Sequence, residues 1–335
     1  MKIAKEKLNE ICNLFALDGV ESCQLVRHID DHNTIIQINA GNKRYIVKLY
    51  HDSFTTKKGL EKQGQLCNTL HPAIPVPQRY KTIDGYFYTE IKVDGKCSLV
   101  TVEEYMDGTE IEIIDINVIR QIAQLLAVQH NISEESGMRF GYGTSWSMFG
   151  GNETDAFGDY DENELCFREL IGALKANNYD KQLIDQISAS YLTQRGELHQ
   201  IWSELPKGAV QGDFCPYNML LDDEWKIGAI FDFNLAGDEV FINECLAIAV
   251  YLAFSHLKRD GTSLEYLQAF LVAYREKRNL SIKEYSAIQP LIRVLRPFRY
   301  ERVDGIMEWI KQGKREEVEL KLKETVKLLN LNYHY

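Results

Sequence analysis

The sequence predicts an α+β chain with a small, β-rich N-terminal lobe and a larger, mostly helical C-terminal lobe. Before about residue 105, short apolar runs alternate with polar turns, which is typical of strands. Beyond that point apolar residues recur at helical spacing. The clearest of these helical segments are 116–130, 243–257, 264–278 and 315–329. We therefore expect two domains, residues 1–105 and 106–335, joined near Glu104–Gly108.

The elements of the first lobe follow from local patterns. Apolar residues on one face predict an amphipathic helix at the N-terminus. Five strands are predicted over 22–28, 34–39, 44–50, 85–92 and 98–105. Between the third and fourth strands, helical spacing over 55–70 predicts a helix, which the proline-rich run 71–77 ends.

Composition excludes several classes of protein. The 335 residues are 45% hydrophobic and 26% charged, as in a globular chain with ample core. A formal net charge of −11 argues against a nucleic-acid or anionic-membrane partner, and no apolar stretch is long enough to span a bilayer. Seven scattered cysteines without a C-x-x-C pair favour a reducing, cytoplasmic location.

The stretch 211–237, QGDFCPYNMLLDDEWKIGAIFDFNLAG, carries the strongest functional signal. Asp213 and Asn218 have the D-x-x-x-x-N spacing found in phosphoryl-transfer enzymes. Two short apolar runs flanking the turn 222–224 predict a hairpin, which makes Asn218 and Asp232 neighbours. An amide oxygen beside a carboxylate suits Mg²⁺, and Asp213 is then placed to accept a proton from an attacking hydroxyl. Singly, each residue is equally compatible with an ordinary turn or strand end.

Lys48 is a second candidate, because it lies inside the apolar strand pattern RYIVKLY. There, strand alternation puts Tyr45, Val47 and Leu49 on one face and Ile46 and Lys48 on the other. Such a lysine either reaches into a cleft or lies on an exposed edge. The following helix contains Glu61, the only acidic residue between Asp52 and Asp84. A strand lysine followed by a helix glutamate matches the ion-pair order of a nucleotide-binding lobe, so we predict a Lys48–Glu61 pair.

The segment 137–162 is rich in glycine, serine, asparagine and aromatic residues. Loops of this length inside a compact domain are usually functional or disordered, so the segment is either a substrate-side loop or a surface excursion. Acidic side chains that could pair with an amine occur here and after the hairpin. These candidates are Asp155, Asp159, Asp161, Asp238 and Glu239.

Two motifs, GDFCPYNMLLD and IFDFNLAGDE, resemble those of the aminoglycoside phosphotransferase, choline kinase and type II homoserine kinase superfamily. The resemblance covers most of the chain and implies a protein-kinase-like two-lobe fold. It also implies that ATP and Mg²⁺ are used. No G-x-G-x-x-G or P-loop motif is present, which argues against eukaryotic-type protein kinases and P-loop kinases.

Carried over residue by residue, the resemblance assigns the site. It implies Asp213 as catalytic base and Asn218 with Asp232 as Mg²⁺ ligands. Lys48, oriented by Glu61, would hold the α- and β-phosphates. The adenine would bond the backbone near Glu104–Met106.

The chain departs from the family pattern at two positions. Gln211 stands where the family usually has histidine, and Glu244 stands where it usually has aspartate. Neither position belongs to the set of residues implied in phosphoryl transfer.

The sequence therefore predicts an ATP- and Mg²⁺-dependent phosphotransferase acting on a hydroxyl of a small molecule of the aminoglycoside, homoserine or amino-alcohol type. We expect the acceptor to carry an amine as well as a hydroxyl. A bacterial Ser/Thr protein kinase of the same superfamily and a non-catalytic nucleotide-binding protein are the alternatives. The acceptor's identity, the choice between ATP and GTP, and the oligomeric state stay open.

Overall fold

The computed structural model describes residues 3–93, 95–144, 146–149, 161–255, 257 and 262–333. The chain divides into two compact units. Unit 1 comprises Met1–Ile111 and Pro216–Ala236, and unit 2 comprises Glu112–Cys215 and Gly237–Tyr335. This division differs from the predicted boundary at residue 105, because the hairpin that contains Asn218 and Asp232 pairs with the strand Thr109–Glu110 and is hydrogen-bonded to Pro75.

The strands, in chain order, are β1 (Val20–Ile29), β2 (Asn33–Ala40), β3 (Lys43–Tyr50), β4 (Thr89–Val93), β5 (Lys96–Glu104), β6 (Thr109–Glu110), β7 (Lys207–Val210), β8 (Met219–Leu221), β9 (Ile227–Ile230) and β10 (Gly237–Val240). The helices are α1 (Lys5–Leu14), α2 (Lys57–Leu70), α3 (Ile116–Ser136), α4 (Glu162–Ala176), α5 (Lys181–Trp202), α6 (Phe241–Phe254), α7 (Ser263–Lys277), α8 (Ile282–Leu295), α9 (Tyr300–Lys311) and α10 (Arg315–Asn330). The predicted α+β class, with strands first and helices later, is confirmed.

Unit 1 is built on an antiparallel sheet with the strand order β1-β2-β3-β5-β4. Alternation along β3 decides its two faces, since successive side chains of a strand point to opposite sides. Tyr45, Val47 and Leu49 join α1 in one buried apolar core. Lys48 lies on the opposite face, as the sequence pattern predicted.

The fourth strand begins later than predicted, at Thr89 rather than at Gly85. Gly85 has φ +88°, a conformation that glycine adopts without steric cost, and its N–H donates to the Thr82 carbonyl at 2.9 Å. A turn therefore occupies the start of the apolar run, and the strand follows it.

A second, three-stranded sheet completes unit 1 and has the order β6-β8-β9. The N–H of Ile230 donates to the carbonyl of Pro75 at 2.7 Å, which ties this hairpin to the segment after α2. The hairpin therefore belongs structurally to unit 1, although it is distant from that unit in sequence.

Unit 2 is mostly helical. Helix α6 is almost entirely buried and packs against α3, α7 and α8, while the short antiparallel pair β7–β10 lies next to α3 and α6. Helices α7 and α8 each begin with a capping box, formed by Thr262 with Glu265 and by Ser281 with Glu284. Within the part of the chain that the structure describes, no helix is long and apolar enough to cross a membrane.

Candidate active site

The predicted hairpin is confirmed, and it makes Asn218 and Asp232 neighbours. Strands β8 and β9 pair with Met219 opposite Ile230, and the N–H of Phe231 donates to the carbonyl of Asn218 at 3.0 Å. A single 3₁₀ turn, Pro216–Asn218, leads into the first strand. One amide side chain and one carboxylate therefore stand at the same end of the hairpin. Their oxygen atoms are donors that Mg²⁺ accepts.

Asp232 has an unusual backbone conformation, with φ +61°. The left-handed region is unfavourable for residues other than glycine, although aspartate and asparagine tolerate it better than most. The N–H of Asn234 donates to Asp232 Oδ1 at 3.3 Å, which stabilises the turn locally. Such strain is concentrated at ligand sites, so the conformation supports a functional assignment for this carboxylate.

The predicted ion pair between Lys48 and Glu61 is wrong. Lys48 Nζ lies 2.7 Å from Oε1 of Glu103, a residue of the adjacent strand β5 that shares its face of the sheet. Glu61 instead accepts a hydrogen bond from the N–H of Phe87 at 3.0 Å. Glu103 on the sheet therefore takes the place predicted for Glu61 as the partner of Lys48. Glu61 on helix α2 holds the loop at Phe87 instead.

Arg79 completes a buried charge cluster with Lys48 and Glu103. Its Nε lies 2.8 Å from Glu103 Oε2, and the three residues are 1%, 7% and 3% exposed, respectively. Burial alone would raise the pKa of Glu103, but Arg79 and Lys48 outweigh it and hold that pKa below its usual range. Two cations share one carboxylate, so the cluster carries one surplus positive charge. Asp232 is close enough to Lys48 to help raise the pKa of that amine.

The hinge residues lie where β5 ends. The peptide N–H of Glu104 donates to the carbonyl of Gln78 at 2.9 Å, and that of Tyr105 donates to the carbonyl of Arg44 at 3.3 Å. Met106 follows in irregular backbone and is partly exposed. The backbone groups predicted to contact the adenine are therefore the carbonyl of Glu104 and the peptide group of Met106, because the N–H of Glu104 already has an acceptor.

In unit 2, Gln211 takes part in fixing the catalytic-loop candidate. Its side chain is fully buried, and its Oε1 accepts the N–H of Asp213 at 2.7 Å. Gly212, between them, has φ +82°, which a β-carbon would disfavour. The side-chain oxygen of Gln211, which stands where the family usually has histidine, thus fixes the backbone of Asp213.

Glu244, the second departure, supports the same loop from helix α6. The N–H of Gly212 donates to its buried carboxylate, which also lies 2.6 Å from His130 Nε2. His130 Nδ1 in turn lies 2.6 Å from the Tyr274 hydroxyl. Burial raises the pKa of Glu244 to about 8 and lowers that of His130. The glutamate arm therefore connects the loop to α3 and α7 through one buried hydrogen-bond chain.

The beginning of the 137–162 segment is attached to the same loop. The indole Nε1 of Trp146 donates to the carbonyl of Gly212 at 2.7 Å. Asp238 accepts the N–H groups of Phe140 and Gly141, each at 2.9 Å. A substrate-side position is therefore supported for residues 137–144 and 146–149, whereas Asp155 and Asp159 lie outside the described residues.

The other acidic candidates for amine recognition already have partners. Glu239 is 2% exposed and accepts the Thr144 hydroxyl at 2.9 Å. Asp161 lies 2.5 Å from Arg195 and caps helix α4. These carboxylates, like Asp238, stabilise the local fold, so the amine expectation loses its structural support at these positions.

Glu239 makes stability depend on pH. Burial raises its pKa to about 7, against 4.5 for the ordinary side chain, so folding favours the protonated form. Its contribution is complete below about pH 4.5 and is lost as pH rises through 7. We expect Glu239→Gln, which keeps the shape but does not ionise, to lose less stability than the wild type over this window. Thermal unfolding of both proteins between pH 4.5 and 8 measures the difference, and parallel curves would contradict it.

Sequence reasoning missed Glu103, Arg79 and His130. Glu103 had a signal, since strand alternation puts it on the same face as Thr101, which pairs with Lys48. Arg79 and His130 had none, because nothing local distinguishes a buried charged or polar residue from an exposed one.

The arrangement suits phosphoryl transfer in its separate parts. Unit 1 presents a fixed lysine and the side-chain oxygens of Asn218 and Asp232. Unit 2 presents the carboxylate of Asp213 on a loop held by Gln211, Glu244 and Trp146. Preorganised groups of this kind are how such enzymes lower the barrier.

Solved structures with the same fold have low sequence identity to the chain. A microcompartment-associated aminopropanol kinase has a TM-score of 0.60 at 12% identity, covering 97% of this chain and 94% of that one. An amicoumacin kinase, solved with AMP-PNP and Ca²⁺, has a TM-score of 0.60 at 15% identity, covering 99% and 97%. An aminoglycoside phosphotransferase from Alicyclobacillus acidocaldarius has a TM-score of 0.58 at 14% identity, covering 98% of each chain.

No curated protein sequence matches the chain. A sequence model of the phosphotransferase enzyme family (APH) matches residues 28–280, which is more than half of the chain and includes Lys48, Asp213, Asn218 and Asp232. With the motifs, the protein-kinase-like fold and this match in agreement, the chain belongs to the phosphotransferase enzyme family.

Proposed function

We propose that this protein transfers the γ-phosphoryl group of ATP to a hydroxyl of a small molecule and requires Mg²⁺. The observation that carries the proposal is that Asn218 and Asp232 lie at the same end of one hairpin, with Lys48 in electrostatic reach of the Asp232 carboxylate. An amide oxygen, a carboxylate and a lysine are the groups that a metal–nucleotide complex needs. The solved structures of a similar fold include kinases named for aminopropanol and amicoumacin, which supports a small-molecule acceptor.

On this proposal, unit 1 binds the nucleotide. Asn218 and Asp232 would hold Mg²⁺, which would neutralise charge on the phosphates. Lys48 donates to phosphate oxygens, and Glu103 fixes its position. The carbonyl of Glu104 and the peptide of Met106 bond the adenine edge. Glu61 has no direct contact with the nucleotide in this scheme.

Asp213 acts on the acceptor. Its carboxylate orients the attacking hydroxyl and takes its proton as the new oxygen–phosphorus bond forms and the bond to the leaving ADP oxygen breaks. Gln211 and Glu244 hold the loop, so the carboxylate does not have to be ordered when the acceptor binds.

Removing the metal ligand tests the assignment of unit 1. Asp232→Ala should abolish most of the melting-temperature rise produced by Mg-ATP and should also lower turnover, because one ligand serves both binding and rate. Asn218→Ala should act in the same direction more weakly, since an amide contributes less charge than a carboxylate. Binding of a ligand to the folded state alone raises the melting temperature, so thermal shift reports both variants.

Asp223→Ala is the control, because Asp223 is exposed in the turn of the same hairpin. It should respond to Mg-ATP as the wild type does. Wild-type responses in both Asp232→Ala and Asn218→Ala would remove the metal assignment. A rise in the melting temperature of the wild type with Mg-GTP but not with Mg-ATP would show that GTP is the phosphoryl donor.

A further inference from the structure

Unit 2 contains a cavity that none of the candidate active-site residues described above lines. This half-open cavity of about 390 Å³ lies where the ends of α6 and α8 meet α9 and α10. Its walls include Phe254 and Trp309, together with charged side chains from three of these elements. The volume and the mixture of aromatic and charged walls suit a small organic molecule.

The charge of the cavity is opposite in sign to that of the chain. Four cationic side chains and two carboxylates line it, in a protein whose formal net charge is −11. The cationic residues are Arg296, Arg299, Arg302 and Lys321, and the acidic ones are Glu301 and Glu324. A surplus of two positive charges in a concave surface concentrates anions there.

The carboxylates leave Arg296 without an ion pair. Glu324 lies 2.7 Å from Lys321 and 3.7 Å from Arg302, and Glu301 lies 3.4 Å from Arg299. Across the described residues, no carboxylate comes within 4.0 Å of the Arg296 guanidinium. That group instead lies 3.9 Å from the ring centroid of Phe254 and donates to the Tyr333 hydroxyl at 3.1 Å. It is held in place without a carboxylate in ion-pair contact, and Glu324 acts on its charge only from a longer distance.

Arg302 is partly satisfied, since its Nη2 donates to the Lys321 carbonyl at 3.3 Å and to the Thr325 hydroxyl at 3.0 Å. Its Nε is buried and makes no hydrogen bond within the described part of the chain. Burial, with the charge of Arg296 nearby, lowers the pKa of Arg302, although Glu324 opposes this. An anion bound between the two guanidinium groups would relieve this repulsion and accept hydrogen bonds from both.

Helix α6 connects the cavity to the catalytic-loop candidate within unit 2, because it carries Phe254 in the cavity wall and Glu244 beside Gly212. Tyr251 stands one helical turn before Phe254 on α6, so the two side chains share a face. Burial raises the pKa of Tyr251 to about 12, and the charges of Glu301 and Asp213 both contribute. One phenol thus lies within electrostatic reach of the cavity rim and of the proposed base.

We propose that this cavity binds the acceptor and selects a hydroxyl compound that also carries a carboxylate or a phosphate. The inference rests on the proposed phosphotransferase function and replaces the amine expected from sequence. An ammonium group here would face a surplus of like charge, whereas an anion would meet Arg296 and Arg302.

Two matched ligand series test the proposal. One comprises glycerol, 3-amino-1,2-propanediol, glycerate and glycerol 3-phosphate, and the other comprises glucose, glucosamine, gluconate and glucose 6-phosphate. Thermal shift of the full chain with each compound, with inorganic phosphate and with malonate reports binding by charge class. We expect the anionic members to raise the melting temperature, and the carboxylate and phosphate arms show which anion is preferred.

Arg296→Gln should weaken anion binding about tenfold to a hundredfold, the change expected when a charge-assisted hydrogen bond is lost. Arg296→Lys should recover part of the affinity because it keeps the charge. The matched control is Arg293→Gln, one turn earlier on α8, where Arg293 contacts Leu331 and Asn332 and does not line the cavity. Arg293→Gln should bind anions as the wild type does.

The outcomes separate this inference from the proposed function. Arg296-dependent anion binding without phosphoryl transfer to any hydroxyl compound would preserve the cavity and remove the enzymatic proposal. Phosphorylation of a neutral or cationic acceptor at the same rate in wild type and Arg296→Gln would remove the cavity inference and preserve the enzyme. Absence of any Arg296-dependent effect of anions would also overturn the inference.

Discussion

Asp213→Asn is expected to lower turnover about a hundredfold to ten-thousandfold, the range that general-base catalysis contributes. Asparagine keeps the size of the side chain but cannot accept the proton that leaves the acceptor hydroxyl. The backbone of residue 213 should stay in place, because the side chain of Gln211 accepts its N–H. Mg-ATP binding should therefore change little.

The measurement is single-turnover phosphoryl transfer alongside thermal shift with Mg-ATP. Asp185→Asn, an exposed aspartate on α5 of the same unit, is the control and should behave as the wild type. Turnover by Asp213→Asn within a factor of about two of the wild type would remove Asp213 from the role of base. Loss of Mg-ATP binding in the same variant would assign it to the nucleotide instead.

Glu103→Ala is expected to destabilise the protein by about 3–5 kcal/mol, the usual cost of removing one partner from a buried ion pair. Lys48 and Arg79 would then be buried with no carboxylate between them. Loss of Glu103 should also lower the pKa of Lys48, because burial then acts unopposed by its nearest anion. Nucleotide affinity should fall together with stability.

Glu61→Ala provides the matched comparison, since it removes the carboxylate that sequence alone pairs with Lys48. It should cost about 1–3 kcal/mol through the unsatisfied N–H of Phe87, with a smaller effect on the KM for ATP. Chemical denaturation gives the two free energies of unfolding, and initial rates give the KM values. A larger rise in KM from Glu61→Ala than from Glu103→Ala would restore the helix glutamate as the partner of the lysine.

Gln211 and Glu244, the two departures from the family pattern, both hold the loop that carries Asp213. Gln211 supplies an oxygen for the N–H of Asp213, and the longer arm of Glu244 accepts the N–H of Gly212. Buried polar networks of this kind favour a single loop conformation. Neither departure removes a member of the proposed catalytic set.

Much of the fold could be predicted because it depends on local patterns. Alternation along RYIVKLY correctly put Lys48 on the face opposite Tyr45 and Val47, because a strand turns every second side chain the same way. The polar turn 222–224 between two apolar runs predicted the hairpin that makes Asn218 and Asp232 neighbours. The boundary between the two units was harder to predict from sequence, because it depends on the tertiary contacts of that hairpin.

By itself, the sequence determined the α+β class, the hairpin and the motif that carries Asp213, Asn218 and Asp232. Each is encoded within a few residues of chain, where periodicity and turn chemistry act directly. Only the tertiary structure decided that Glu103 and not Glu61 neutralises Lys48, and that Arg79 shares the same carboxylate. The cavity around Arg296 was likewise invisible, because its walls come from helices far apart in sequence. Ion pairs and cavities depend on distance in space, and residues remote along the chain set that distance when they pack.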